Sequence, residues 1–429
     1  MTGPGPDGAR PGLGGNWRQF ALLVLVNAFV GAMVGLERSL LPTLAEREFH
    51  LAARAAILSF IVVFGLVKAL TNYFAGRLSD ALGRKEVLVA GWLAAVPVPF
   101  LLMWAPSWSW VLVANALLGV SQGLTWSTTV IMKIDLAGPE RRGLAMGLNE
   151  FAGYVAVALS ALATGHVAVT HGLRPQPFYL GIAFVALGLG LTLLFVRETT
   201  QHVALEARRH ATLEARGHAA DAVDPELAGP LSTRRIFALA TWRHPALSSA
   251  SQAGLVTNFN DGLAWGLFPL FFAAGGLSVG QIGVLTFIYP AAWGLLQLWT
   301  GGLSDRWGRK PLIAGGMLVQ AAALFMVAGV SSFWPWFVGS ALLGVGTAMA
   351  YPTLLAAVAD VAHPTWRGSA VGVYRLWRDS GYAFGAIFAG VLADRLGIAP
   401  ATVGVGGLVL LSTLVVWFRM PETLPAKTA

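Results

Sequence analysis

A ten-residue stretch occurs twice in this chain, and its two copies decide how the remainder can be arranged. Gly76-Arg77-Leu78-Ser79-Asp80-Ala81-Leu82-Gly83-Arg84-Lys85 returns as Gly301-Gly302-Leu303-Ser304-Asp305-Arg306-Trp307-Gly308-Arg309-Lys310. The aspartates are 305 − 80 = 225 residues apart, as are Gly83 and Gly308. The offset persists outside the loop. Leu117-Leu118-Gly119-Val120 matches Leu342-Leu343-Gly344-Val345, and Pro139, Arg142, Gly143 and Gly147 match Pro364, Arg367, Gly368 and Gly372. Gly165 and Gly172 match Gly390 and Gly397. Self-similarity at one fixed offset indicates two copies of one structural unit.

Both copies lie between long apolar runs. The 429 residues are 56% hydrophobic and 12% charged, about half the charge of a soluble domain, which excludes a water-soluble globular protein. The net charge of +8 does not point to nucleic acid, because the cations fall in short loops between apolar segments and form no basic face. The absence of cysteine excludes disulfides, thiolate metal sites and cysteine nucleophiles. The first apolar run is too long for a signal-peptide core and reads as a retained span.

A helix needs about 20 apolar residues to cross a bilayer core. Windows of that size fall at roughly 18–44, 52–75, 86–105, 108–131, 144–169 and 177–196, then at roughly 245–274, 278–300, 311–331, 334–358, 369–392 and 400–419. The repeated loop follows the second span of each six. One side of the membrane receives Arg10, Arg18, Arg77, Arg84, Lys85, Lys133, Arg141, Arg142, the linker arginines, Arg306, Arg309, Lys310, Arg367, Arg419 and Lys427. The other keeps Arg47, Arg54, Arg174 and Arg395. The Lys/Arg bias therefore places both termini in the cytoplasm of a multi-pass cell (inner) membrane protein.

The expected domains are an N-terminal tail (1–17), a six-helix bundle (18–198), a cytoplasmic linker (199–244), a second bundle (245–420) and a C-terminal tail (421–429). In the linker, Leu205-Glu206-Ala207-Arg208 and Leu213-Glu214-Ala215-Arg216 suggest a charged surface helix, which Pro225 and Gly229-Pro230 end. Ser232 is placed to cap an interfacial helix that carries Arg234, Arg235 and Trp242. Four-residue glycine spacings at Gly31/Gly35, Gly119/Gly123, Gly262/Gly266 and Gly381/Gly385 read as close helix packing.

The duplicated loop resembles the pattern G-x-L-a-D-r-x-G-r-k of the major facilitator superfamily, found between helices 2 and 3 and again between helices 8 and 9. The resemblance covers the whole chain, including Glu198-Thr199 and Glu422-Thr423, which close each half. It implies an all-α membrane protein whose twelve transmembrane helices form two pseudo-symmetric six-helix bundles rocking around a central cavity. In that family the loop latches the outward-facing state. The resemblance thus assigns Gly76, Asp80, Gly83, Arg84, Lys85, Gly301, Asp305, Gly308, Arg309 and Lys310 to gating. The residue types agree. Gly76 and Gly301 permit close helix approach, and Gly83 and Gly308 a tight turn. Asp80 and Asp305 can accept hydrogen bonds from a helix N-terminus. Two departures count against a plain drug/proton antiporter: Gly119 stands where family exporters often have arginine before Gln122-Gly123, and Gly153-Tyr154 replaces the Gly-Pro of helix 5.

A charge at mid-membrane costs about 2.5–3.5 kcal/mol on insertion scales and marks a functional candidate. Glu37, Glu150, Asp261 and Asp379 are the carboxylates expected to couple protons, with Glu37 and Asp261 foremost, because desolvation favours a proton on a buried carboxylate. Arg38, Lys68, Asn72, Gln122, Trp126, Asn260, Tyr289, Gln297, Arg375 and Arg378 are the substrate-cavity candidates, and Asn258 and Tyr351 share the same helical spacing. Glu37 and Arg38 can equally snorkel to an interface. The polar residues can equally join helices. Lys68 can pair with helix 11 or meet an anionic substrate group. Spacing allows a local Arg375–Asp379 ion pair, which would leave Arg378 over. Glu150 and Arg375 are repeat equivalents of opposite charge, an asymmetry on which coupling can depend.

No GxxxxGK[ST] or HExxH occurs, and the histidines and methionines show no metal-type spacing. No cofactor, metal or enzymatic activity is expected. The sequence supports a monomeric secondary transporter in the lipid bilayer. It would move a small organic solute by alternating access, coupled to protons, with export favoured over uptake. Uptake of a small metabolite or organic anion is the alternative, and a non-transporting receptor or lipid-handling protein a third.

Overall fold

In lipid, a long apolar run satisfies its backbone polar groups by forming a helix. The computed structural model describes residues 12–38, 40–51, 54–138, 141–206, 231–277 and 279–424, and among these the chain is helical with no strand. The helices of the first repeat are α1 (Leu13–Arg38), α2 (Leu41–Arg47), α3 (Arg54–Leu82), α4 (Arg84–Ala95), α5 (Pro97–Met103), α6 (Trp108–Ala137), α7 (Arg142–His171) and α8 (Tyr179–Phe195). A short α9 (Thr233–Ala238) precedes the second repeat. That repeat comprises α10 (Pro245–Gly266), α11 (Phe268–Ala274), α12 (Val279–Trp307), α13 (Arg309–Gly329), α14 (Phe333–Val361), α15 (Arg367–Leu396) and α16 (Ile398–Arg419).

Helical segments coincide with all the expected spans, and three of them are broken. The first span stops at Arg38 and restarts as α2. The third breaks between α4 and α5 at Pro97, and the seventh before Phe268-Pro269, so both restarts carry proline in the first turn, where its missing N–H costs no helical bond. Pro290 and Pro352 instead lie inside continuous helices. Among the described residues, eight stretches are by themselves long and apolar enough to cross a membrane. The other expected spans fall on α6, α10–α11, α12 and α15, whose polar residues lower their apolarity. Those polar residues make up most of the candidate site.

The chain divides into two compact units. The first comprises Met1–Pro139, Ala152–Thr233 and His363–Gly372, and the second Glu140–Phe151, Arg234–Ala362 and Val373–Ala429. The opening turns of α7 thus belong with the second unit, and those of α15 with the first. Within the first unit α6 packs against α1, α3 and α4. Within the second, its repeat equivalent α14 packs against α10, α12 and α13. The glycine spacings act as expected where contact is closest: a Cβ at Gly31 would lie 2.2 Å from the Gly153 carbonyl oxygen.

In the linker, residues 200–206 are helical. Leu213-Glu214-Ala215-Arg216, Pro225 and Gly229-Pro230 lie outside the described residues, as do Arg10 and Lys427. The helix expected after Ser232 is α9, which widens into a π turn over Leu239–Arg243. That turn is fixed by Arg419 Nη2 on the Trp242 carbonyl at 2.6 Å and Trp377 Nε1 on Thr241 Oγ1 at 3.1 Å.

Candidate functional site

Each repeated loop forms its tight turn at a glycine in the left-handed region, Gly83 with φ +105° and Gly308 with φ +101°. A side chain there would be strained. The glycine one helical stretch earlier does different work. A Cβ at Gly76 would lie 2.2 Å from the Gly368 carbonyl oxygen, and one at Gly301 2.4 Å from that of Gly143. Bare backbones therefore meet at both places, and this contact brings each aspartate to the start of a helix from the other repeat.

In the first unit, Asp80 Oδ2 accepts the backbone N–H of Ser369 at 2.8 Å and its hydroxyl at 2.7 Å. In the second, Asp305 accepts the backbone N–H groups of Gly143 and Leu144, both at 2.9 Å. A carboxylate on the first-turn N–H groups satisfies orphan donors and faces the positive end of the helix dipole. The arginine four residues on ties the aspartate to a second, buried carboxylate. Arg84 bonds Asp80 at 3.1 Å and Asp135 at 3.2 Å. Arg309 bonds Asp305 at 2.7 Å and Asp360 at 2.8 Å. Asp135 and Asp360, again 225 apart, complete each cluster. They were not among the sequence candidates, although the repeat offset alone would have found them.

Glu198 and Glu422 receive the first backbone N–H groups of α4 and α13. Glu198 bonds Lys85 at 2.9 Å, and Glu422 bonds Arg309 at 2.8 Å and Lys310 at 3.2 Å. Burial alone would raise the Glu198 carboxyl, but the backbone N–H groups of Lys85, Thr200, Arg84 and Thr199 hold it below the ordinary carboxylate range.

In the first unit, Lys68 meets aromatic rings and Glu37 a neutral amide. Lys68 lies over the rings of Trp126 at 5.1 Å and Phe64 at 5.5 Å, a cation–π setting. Glu37 is buried and meets the Asn115 side chain. The side chain of Arg38 lies outside the described residues. Gln122 donates to the Val30 carbonyl at 2.7 Å, and Asn72 accepts the Ser127 hydroxyl at 2.7 Å. These bonds join helices within the unit.

The second unit is different. Asp261 is buried and accepts a short hydrogen bond from the Tyr289 hydroxyl. Asn260 and Gln297 are fully buried, and none of their side-chain polar atoms has a partner among the described residues. The local ion pair expected between Arg375 and Asp379 does not form. Arg378 takes Asp379, through Nε and Nη2 at 2.7 Å, because adjacent side chains can meet when the arginine folds back on its own helix. Arg375 is therefore the arginine left over: it is fully buried and its three nitrogens have no hydrogen-bond partner among the described residues. Glu150 receives the Asn149 amide at 2.6 Å and is an electrostatic neighbour of Arg375. The structure thus brings Glu150, Arg375, Arg378 and Asp379 into one unit.

The Major Facilitator Superfamily model matches residues 21–251 and 250–429. Multidrug resistance protein MdtG of Citrobacter koseri is 25% identical over 424 residues, covering 96% of this chain and 98% of that protein. Two solved structures share the fold. The human organic anion transporter MFSD10 superposes with TM-score 0.72 at 18% identity, over 93% of this chain and 99% of that one. The proton:xylose symporter XylE gives 0.77 at 16%, over 95% and 97%.

Proposed function

The chain belongs to the Major Facilitator Superfamily and is a multi-pass membrane transporter, and from that premise we propose that it exports a small organic solute by proton-coupled alternating access. One observation carries the coupling: Glu37 and Asp261 are both buried within spans, Glu37 beside the Asn115 side chain and Asp261 on the Tyr289 hydroxyl. A carboxyl so placed can take up and release a proton as the cycle changes its access to water. Export is supported by the MdtG likeness, since that relative is named for multidrug resistance. Asp80 and Asp305 gate the cycle by releasing and regaining their helix N-termini. The basic loops and both termini face the cytoplasm of the inner membrane, with bundles at 18–198 and 245–420 joined by the linker at 199–244, and the chain works as a monomer.

Proteoliposomes under an imposed pH gradient test this with a panel of amphipathic dyes. Wild-type flux should follow the gradient. Glu37→Gln and Asp261→Asn should each lower gradient-driven flux by about tenfold or more, a loss of about 1.4 kcal/mol in coupling, and leave solute exchange at zero gradient. Flux indifferent to the gradient would remove the proton from the proposal, and absence of flux for the whole panel would remove export of such solutes. Fusing a reporter that is active only in the cytoplasm to Glu422 tests the orientation.

A further inference from the structure

We infer that Tyr374, Arg375 and Arg378 form a subsite for the carboxylate of an organic anion, which names the substrate class of the transport proposed above and rests on that reading. The three lie at i, i+1 and i+4 of one turn of α15, so their side chains project to one side of the helix. Tyr374 and Arg375 are fully buried and Arg378 is 2% exposed. Five of their polar atoms have no partner among the described residues: the Tyr374 hydroxyl, all three Arg375 nitrogens and Arg378 Nη1.

Charge is not what this cluster lacks. Arg378 is paired with Asp379, and Glu150 and Asp379 both act on Arg375 electrostatically, so the group is close to neutral. What it lacks is hydrogen-bond acceptors. A buried guanidinium donor left without an acceptor carries a desolvation cost that no distant charge removes. The surroundings also keep the donors in place. The Arg378 guanidinium lies 4.7 Å from the Tyr351 ring centroid and 6.0 Å from that of Tyr374. A Cβ at Gly254 of α10 would lie 2.8 Å from the Tyr374 ring and 3.2 Å from its hydroxyl, so only a bare helix surface fits against that ring.

The ligand that answers such a donor set is rich in acceptors and poor in donors. An ionised carboxylate is acceptor-only, and its two oxygens match the planar fork of one guanidinium bidentately. An ammonium group brings donors alone and would leave the four arginine nitrogens unsatisfied. Glu150 acts on Arg375 electrostatically, so it competes with an incoming carboxylate for that charge.

The test is equilibrium binding to the purified full-length protein in detergent, read by tryptophan fluorescence. The probes are 1-naphthoate, 1-naphthylmethanol and 1-naphthylmethylammonium, which share a ring and differ in head group. Wild type should bind naphthoate at least about tenfold tighter than the alcohol, each tenfold being about 1.4 kcal/mol, with the ammonium weakest. Arg375→Gln should equalise naphthoate and alcohol, Arg375→Lys should keep part of the preference, and Glu150→Gln should tighten naphthoate. Retained alcohol binding shows that the variants are folded. A wild type without anion preference, or an Arg375→Gln variant that keeps it, overturns the subsite. Anion preference in a protein that shows no gradient-driven flux would sink the coupling and leave the subsite standing.

Discussion

The two loop clusters occupy equivalent positions in the repeats and distribute the same charges differently. In the second unit, Arg142 reaches Asp360 at 3.1 Å, so this buried carboxylate is held by two arginines, Arg142 and Arg309. In the first, the equivalent Arg367 stands 3.9 Å from Asp135 and instead makes a bidentate pair with Glu206 of the linker, both bonds at 2.9 Å. Asp135 keeps Arg84 and gains the Thr199 hydroxyl at 3.0 Å. The aspartates differ as well, one accepting two successive backbone N–H groups and the other one N–H and one hydroxyl. The frame is the same in both, and in the first a linker carboxylate, Glu206, takes the arginine that in the second holds the buried aspartate. The first cluster is therefore the one through which the linker can act on the loop.

Removing the central arginines should separate the clusters most. Arg84→Ala and Arg309→Ala each break a buried ion network, at about 3–5 kcal/mol. Arg84→Ala should be the more damaging, because Asp360 retains Arg142 while Asp135 retains the neutral Thr199 hydroxyl and the more distant Arg367. Thermal unfolding in detergent measures both, and a larger loss in Arg309→Ala would refute the account of shared arginines. Next come the backbone contacts. Gly76→Ala and Gly301→Ala should each cost about 1–3 kcal/mol by overpacking, and both should depress transport, since the added methyl meets a carbonyl oxygen in either unit.

Glu206→Gln should cost about 1–2 kcal/mol, the range of a hydrogen bond to a charged group at a partly exposed site. It should also rescue part of the Arg84→Ala defect by freeing Arg367 for Asp135, which a double-mutant cycle would detect. Ser369→Leu places the second cluster's residue, Leu144, in the first cluster. Losing the hydroxyl bond to Asp80 should cost about 0.5–1.5 kcal/mol, and the corresponding Leu144→Ser should be close to neutral. The smallest effect concerns pH. The folded Glu198 carboxyl titrates below its unfolded value, so its stabilisation is complete above about pH 4.3 and is lost as pH falls through the folded pKa. At a half-exposed site this amounts to less than about 1 kcal/mol. Glu198→Gln should flatten that part of the acid-unfolding curve, and an unchanged curve would remove Glu198 as its source.

Much of the frame was legible because repetition is visible without coordinates. The offset that paired Asp80 with Asp305 also pairs Asp135 with Asp360 and Arg142 with Arg367, and the glycines fell where turns and close approach need them. Proline breaks at Pro97 and Phe268-Pro269 were legible in type but not in place, since Pro290 and Pro352 are equally internal and leave their helices whole. The partners of Arg375 and Arg378 were not legible. Asp379 lies four residues from Arg375 and next to Arg378, so an arginine can reach it from either position, and only the packed rotamers decide which one does.

The sequence by itself determined an all-helical, twice-repeated membrane protein, because apolar run length, loop charge and a repeat offset are properties of the chain in any conformation. The resemblance of its repeated loop to the major facilitator superfamily implied transport. Only the tertiary structure decided which charges neutralise one another, which donors remain open and which arginine the linker holds. Those outcomes depend on distances of a few ångströms between residues far apart in sequence, where Coulomb and hydrogen-bond energies change steeply.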